Sequence, residues 1–569
     1  MINYVCQMYL NFNTAKLKHP IAVELLISIA ALLLSFLVFT PVYDDYGYFL
    51  TAMASGQFSD FPFIDLHYLG MVGVNFIYKM LYRLAPSFNW LGAGWLFFTF
   101  AGLYLGLRVL RRVIFAGVAD YRLILIAQFF FTVFYFENFT VLSHTRFALI
   151  FCGISLVRLV FSEEISKKSI FFYSAVFILG LLHRPESGLG MLALACGGFL
   201  IYRFALLHFI KRSFIPVAAV TVLFGYFTYD RMHTDIFVRK IEPEIEYKLM
   251  DKRIVPLVQQ KTETDSVKYL AAVSGMWFDP RVLTPEYIRT LLLPGIDWSK
   301  KHFLSIFHHV VSFYLRYAFI PAVFFCLLLL AGICFSERTI LFRIILFEVF
   351  VFVLVLALDF NGKLVAGRHF LSIELVALII SVRYFFIPGI TAQGKFTRTF
   401  MLSVVAVFMV SGVYFLKIKA ENTQYHREIV CFETTMQNTE RAFSGRIVAN
   451  TLSNVYLLNH AFSVWNKNYT GNTYVMYDMF SFSLIPEYVT YLNKLCGCDA
   501  MDPKAFFRFM QSKNALYMAD ENRYELTARY MNAVHHINLQ FAPQHNKPVP
   551  DCILQTEYAN FDLRTVSVK

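Results

Sequence analysis

Between Ile21 and Phe415 apolar residues recur in long unbroken runs, and beyond them the pattern shortens to strand-like and helix-like pieces. Each run has about 18 to 25 residues, enough to cross roughly 30 Å of hydrocarbon as an α-helix whose backbone satisfies itself. Spans are predicted at 21–40, 89–107, 123–138, 145–161, 169–183, 188–204, 214–229, 316–335, 340–358, 370–387 and 399–416, eleven in all. The segment 304–318 either lengthens its neighbouring span or lies along the interface. The first run follows Lys16 and Lys18 without a small-residue cleavage site, so it reads as a retained span rather than a signal peptide.

Three stretches break the weave. Residues 41–88 hold YDDYGYFLTAMASGQF and HYLGMVGVNFIYKMLYRL, helical in apolar spacing but punctuated by Gly, Asp and Pro, which predicts helices lying at the outer surface. Residues 230–303 form a polar loop carrying EPEIEYKLMDKR and WFDPR. After residue 418, strand-like GRIVANTL, NALYMA, HHINLQF and RTVSV alternate with helix-like PEYVTYLNKL, DPKAFFRFMQ and ENRYELTARYMNAVHH, the signature of a small α/β domain. The predicted architecture is a polytopic α-helical membrane protein of about eleven transmembrane helices over 1–417, with external loops at 41–88 and 230–303, plus an extracytoplasmic α/β domain over 418–569.

Composition agrees: 57% apolar and 16% charged residues with a mean hydropathy of +0.53 place the chain in a bilayer. The net charge of +12 does not imply a nucleic-acid partner, because most of the excess sits in short connections between spans. One set of connections carries Lys16, Lys18, Arg108, Arg111, Arg112, Arg122, Arg158, Lys167, Lys168, Arg203, Lys211, Arg212, Arg338, Arg343, Arg383, Lys395 and Arg398. The other carries only Lys79, Arg83, Arg146, Arg184, Lys363 and Arg368. The positive-inside rule then makes the amino terminus cytoplasmic and, after eleven spans, puts the tail outside, the expected home being a bacterial plasma (inner) membrane. The nine cysteines lack zinc spacing. Cys152, Cys196, Cys326 and Cys334 fall in spans, and Cys431, Cys496, Cys498 and Cys552 in the tail, where an oxidising compartment leaves disulfides open.

Candidate chemistry gathers on the outer side. Asp44 and Asp45 follow the first span; paired carboxylates can divide the work of general base and metal or hydroxyl ligand, or the first can simply cap the next helix. FENFTVLSHTRF brings Glu137, His144 and Arg146 to one turn. LLHRPESG brings His183, Arg184 and Glu186 to another, and DFNGKLVAGRHF brings Asp359, Lys363, Arg368 and His369 to a third. The cytoplasmic turns are basic collars, whereas these turns mix carboxylates, imidazoles and cations. Guanidinium forks beside apolar walls suit a lipid-linked phosphate, and a carboxylate nearby could deprotonate an acceptor hydroxyl that displaces it. Snorkelling towards lipid head groups is the plainer use of each cation.

The stretch from PVYDDYGYFLTAMASGQF to HYLGMVGVNFIYKMLYRLAP resembles the first external loop of the GT-C glycosyltransferases, such as protein O-mannosyltransferases and the aminoarabinose transferase acting on lipid A. The resemblance implies that Asp44 and Asp45 are the acidic pair, with the first as base. It also implies that Arg368 in GRHFLSIELVALI stands near the carrier phosphate and that Glu137 takes the place of a second acidic residue. His67 and Tyr68 stand where those transferases carry a Lys-Pro signature, so the donor sugar is left open.

The expected function is transfer of a sugar from a polyprenyl-phosphate donor to a glycan, lipid or protein acceptor, with inversion, amid membrane lipids and without nucleic acid. Catalysis falls to Asp44 and Asp45. Substrate and phosphate binding falls to Glu137, His144, Arg146, His183, Arg184, Glu186, Lys363, Arg368 and His369. A divalent cation (Mg or Mn) beside Asp44 and Asp45 stays an open option. An O-antigen or exopolysaccharide polymerase is the first alternative, since HTRFALIFCGISL resembles its Arg-containing span; a lipid-linked glycan transporter is the second, though no internal repeat is visible.

Overall fold

The computed structural model describes residues 20–39, 41–43, 73–86, 88–114, 121–162, 164–202, 206–233, 338–360, 367–385, 441–450, 473–477, 486–543 and 561–569. It also describes most of 262–287, 304–312 and 409–430. Over these residues the chain is mainly helical, with a two-stranded ladder of β1 Val42–Tyr43 and β2 Val141–Leu142 and a five-stranded sheet in the tail. The helices are α1 Pro20–Val38, α2 Asn75–Leu84, α3 Trp90–Val109, α4 Tyr121–Tyr135, α5 Glu137–Thr140, α6 His144–Val160, α7 Lys167–His183, α8 Pro185–Tyr202 and α9 Leu206–His233. Then come α10 Glu263–Val273, α11 Arg338–Phe360 and α12 Gly367–Phe385, and in the tail α13 Pro486–Cys496, α14 Pro503–Ser512 and α15 Glu521–His535. Four of them, α1, α3, α8 and α9, contain stretches long and apolar enough to cross a membrane.

The apolar runs fold as helices because a continuous apolar stretch leaves the backbone no outside partner for its N–H and C=O groups. α6 is the axis of the bundle: all 17 of its residues are buried, and α3, α7, α8 and α12 pack around it. Small residues set that closeness. A Cβ on Gly180 of α7 would stand 2.9 Å from the Ala148 carbonyl oxygen, and one on Gly153 would meet Val376 Cγ2 at 2.4 Å.

Several boundaries differ from the expected ones. The run 123–138 stops being one helix at Tyr135, where Asn138 Nδ2 donates to the Tyr135 carbonyl (2.9 Å) and α5 begins as a single turn. α9 extends to 28 residues and runs through Pro216, taking in the polar Lys211 and Arg212 that an apolar window leaves out. Past α3 the helix continues as a π-helical turn, Leu110–Ile114, bearing Arg111 and Arg112. The expected span 316–335 lies outside the described residues; of 399–416, only residue 409 and those from 411 are described, 411–424 being helical.

The tail sheet contains β3 Ile447–Asn450, β4 Thr473–Met476, β5 Leu516–Asp520, β6 Leu539–Pro543 and β7 Phe561–Val568, in the order β4-β3-β5-β7-β6. β3 pairs in parallel with β4 and β5, while β7 runs antiparallel to β5 and β6. Its core also takes in part of the polar loop. Val267, Ala271, Met276, Phe278 and Leu283 belong to the same buried cluster as Tyr477, Phe506, Tyr530 and Met531. Asp279 of WFDPR is buried and accepts from Tyr530 Oη (3.0 Å) and His535 Nε2 (2.6 Å), while Arg281 pairs with Asp499. Cys496 and Cys498 are free thiols, and Cys431 and Cys552 lie outside the described residues.

Candidate functional site

At the end of α1 the chain is pinned from two sides. Phe39 packs on Phe136 and Phe415 with ring centres 5.1 Å apart in both cases, and Lys419 donates to the Val38 carbonyl while its ammonium lies 5.3 Å from the Phe39 ring centre. The next residues form β1, Val42–Tyr43, which pairs in parallel with β2, Val141–Leu142, in register Val42 to Val141 and Tyr43 to Leu142. The chain is described again at Gly73, whose N–H donates to the Leu182 carbonyl (3.2 Å). Tyr43 therefore stands beside the stretch that links Glu137 to His144 and Arg146, and Gly73 beside Leu182, next to His183, Arg184 and Glu186. Asp44 and Asp45, which follow Tyr43, lie outside the described residues, as does Lys363.

The first turn is a wired cluster. Arg146, in the opening turn of α6, places Nη2 3.0 Å from Glu137 Oε1, and Tyr414 Oη donates to Glu137 Oε2 at 2.5 Å. Each oxygen of the Glu137 carboxylate thus has its own partner, and the Arg146 side chain, only 7% exposed, has an opposite charge beside it. The neighbouring Thr145 joins the second turn: its Oγ1 accepts from Arg184 Nη1 at 2.6 Å, and Arg184 Nε lies 3.9 Å from Glu186 Oε2. Glu137, Arg146, Arg184 and Glu186 are therefore brought to one place through two successive residues of α6.

The histidines fare differently. His183 is fully buried, with Nδ1 donating to the Leu179 carbonyl (2.8 Å) and its ring edge-on to Phe98 (4.6 Å) and Phe147 (4.8 Å). It forms part of an apolar wall rather than an open surface. His144 is also buried, its ring centre 5.5 Å from that of Trp95 and its Nε2 3.5 Å from Thr145 Oγ1. His369 is half-buried on the first turn of α12, beside Phe370, which packs on Ile306, Val310 and Val355. Arg368 belongs to the same turn of backbone; its side chain is outside the described residues.

Two participants escape a reading of the sequence. Tyr414 is 277 positions from Glu137, and its one signal is a phenol near the end of an apolar run. Thr145 is hidden between two ionisable neighbours. Among the described residues no group of three or more His, Cys, Asp or Glu could hold a metal ion. Chemically, the site offers guanidinium groups backed by carboxylates on an aromatic wall, a geometry that fits a phosphate carried by an apolar chain. No protein-family model matches the chain, and neither does any curated protein or solved structure.

Proposed function

We propose that the chain is an integral membrane glycosyltransferase of GT-C type. It moves a sugar from a polyprenyl-phosphate carrier to an acceptor hydroxyl on the outer face of a bacterial plasma membrane. Eleven spans, a cytoplasmic amino terminus and an external tail are part of this reading. The observation that carries it is the parallel pairing of β1 with β2, because the chain enters Asp44–Asp45 directly from a strand fixed beside the Glu137–Arg146 turn.

In this reading an Asp44 or Asp45 carboxylate takes the proton of the acceptor hydroxyl. The hydroxyl oxygen forms a bond to the anomeric carbon as the bond from that carbon to the phosphate oxygen breaks, so a single displacement inverts the centre. The lipid phosphate leaves with the electron pair and is met by Arg146 and Arg184, joined by Lys363 and by Arg368 of the first turn of α12. Glu137 holds Arg146 in place, since both its oxygens are engaged, and is therefore a poor base.

A glycan polymerase is the second reading, favoured by Arg146 at the head of the buried α6. Purified chain in proteoliposomes, given a panel of radiolabelled polyprenyl-phosphate and polyprenyl-diphosphate sugars with membrane-extracted acceptors, separates the two. Single-sugar labelling from a monophosphate donor supports transfer, and chain growth from a diphosphate donor supports polymerisation. No labelling from any donor overturns both.

A further inference from the structure

The tail holds a pair of thiols that sugar transfer does not use. Cys496 is the last residue of α13, and Gly497 follows it at φ +64°, a left-handed turn that glycine adopts without strain. The turn is tied back to the helix at two points. Gly497 N–H donates to the Asn493 carbonyl (2.9 Å), and Asn493 Oδ1 accepts from the Ala500 N–H (2.7 Å). Asp499 Oδ1 accepts from the Met501 N–H (3.0 Å), and the same carboxylate pairs with Arg281. Cys498 is thereby held beside Cys496.

Two residues of extended chain span at most about 7 Å and a turn spans less, so the two Cα atoms stand within reach of a disulfide. The sulfurs already touch: the Cys496 thiol donates to the Cys498 sulfur, and both cysteines are free and half-buried. Packing alone asks for neither a second sulfur nor its alignment with the first. The pair is also asymmetric. Burial pushes the Cys496 thiol up to about 12. Burial raises Cys498 too, but the hydrogen bond from Cys496 draws it back, against Asp499 and Asp502. Cys498 is thus the outer sulfur and the readier thiolate, and Cys496 the inner thiol that keeps its proton until Cys498 has reacted.

We propose that Cys496 and Cys498 form a redox-active dithiol, which closes to a disulfide by exchange with an incoming disulfide. The Cys498 thiolate attacks one sulfur of that disulfide, whose S–S bond breaks as a mixed disulfide forms, and the first thiol leaves with the Cys498 proton. Cys496 then gives up its proton and attacks the Cys498 sulfur, forming the Cys496–Cys498 bond and releasing the second thiol. The cysteine pair loses two electrons, and the incoming disulfide is reduced to two thiols. The site is independent of the sugar-transfer reading.

Lys494 and Lys504 bracket the pair, so one tryptic peptide, 495–504, carries both sulfurs. The test equilibrates the full chain in nanodiscs with mixtures of reduced and oxidised glutathione, quenches with acid, alkylates the remaining thiols and weighs that peptide. The expected product is free of alkyl label and two hydrogens lighter than the dithiol, its fraction rising as the mixture turns oxidising. Cys496→Ser should stop at a glutathione adduct on Cys498, and Cys498→Ser should react at least about tenfold more slowly than Cys496→Ser. A peptide still doubly alkylated in oxidised glutathione overturns the proposal, and so do two glutathione adducts without ring closure. Capture of either sulfur by Cys431 or Cys552, seen as a cross-linked peptide, also overturns it, as do equal rates for the two serine variants.

Discussion

The two ends of the helical bundle solve the same electrostatic problem in different ways. At the Glu137 end each buried charge has a partner supplied by the chain, with Arg146 on Glu137, Glu137 on Tyr414 and Arg184 on Thr145. At the other end Arg111 pairs with the buried Glu24, while Arg158 and Arg212 both donate to Ser162. The contrast teaches that arginine count says little about role. What separates the two ends is what each guanidinium is tied to, a carboxylate in the case of Arg146 and a serine in the case of Arg158.

The comparison breaks most sharply at Glu137. Glu137→Ala would leave Arg146 buried without its counter-ion, and should cost about 4 kcal/mol of stability, read from denaturant unfolding in detergent. Glu137→Gln combined with Arg146→Gln should recover part of that loss, because the stranded charge is gone. Glu24→Gln acts on the other end. It should cost about 3 kcal/mol in the same unfolding measurement, since Arg111 loses its buried counter-ion. Tyr414→Phe removes one hydrogen bond to a carboxylate that keeps its arginine, and about 1.5 kcal/mol is expected from the same unfolding measurement.

The smallest effect belongs to the tail, where burial shifts a group without an opposing charge. Burial first, and then its neighbour Cys498, push the Cys496 thiol up to about 12; burial also raises Cys498. A raised pKa favours the neutral thiol, so Cys496 carries little thiolate at pH 8. Iodoacetamide labelling should reach Cys498 first, and the Cys496 rate should keep climbing as the pH is raised through the alkaline range.

Much of the helical framework is legible in the sequence, because an apolar run leaves the chain few alternatives. α6, α7 and α8 begin and end within a few residues of the expected limits. The tail elements are legible for a related reason: NALYMA and RTVSV carry β-propensity, and ENRYELTARYMNAVHH carries helical spacing. What escapes is pairing at a distance. A two-residue ladder such as β1 with β2 has no periodicity to betray it, and β4 hides in the polar stretch YTGNTYVMYDM.

His183 shows the opposite error of inference. Its motif LLHRPESG reads as a polar turn, yet the imidazole is packed between Phe98 and Phe147 while the next residue, Arg184, reaches the network. A one-residue step at a helix end turns the side chain from solvent to core.

The account stands or falls on the acidic pair that follows β1. The most direct measurement is transfer from a radiolabelled polyprenyl-phosphate sugar by Asp44→Asn and Asp45→Asn chains in proteoliposomes, normalised to folded, inserted protein. Loss of the general base predicts a fall of at least about 100-fold in one of the two variants, with unfolding midpoints unchanged. Wild-type transfer by both variants would contradict the account.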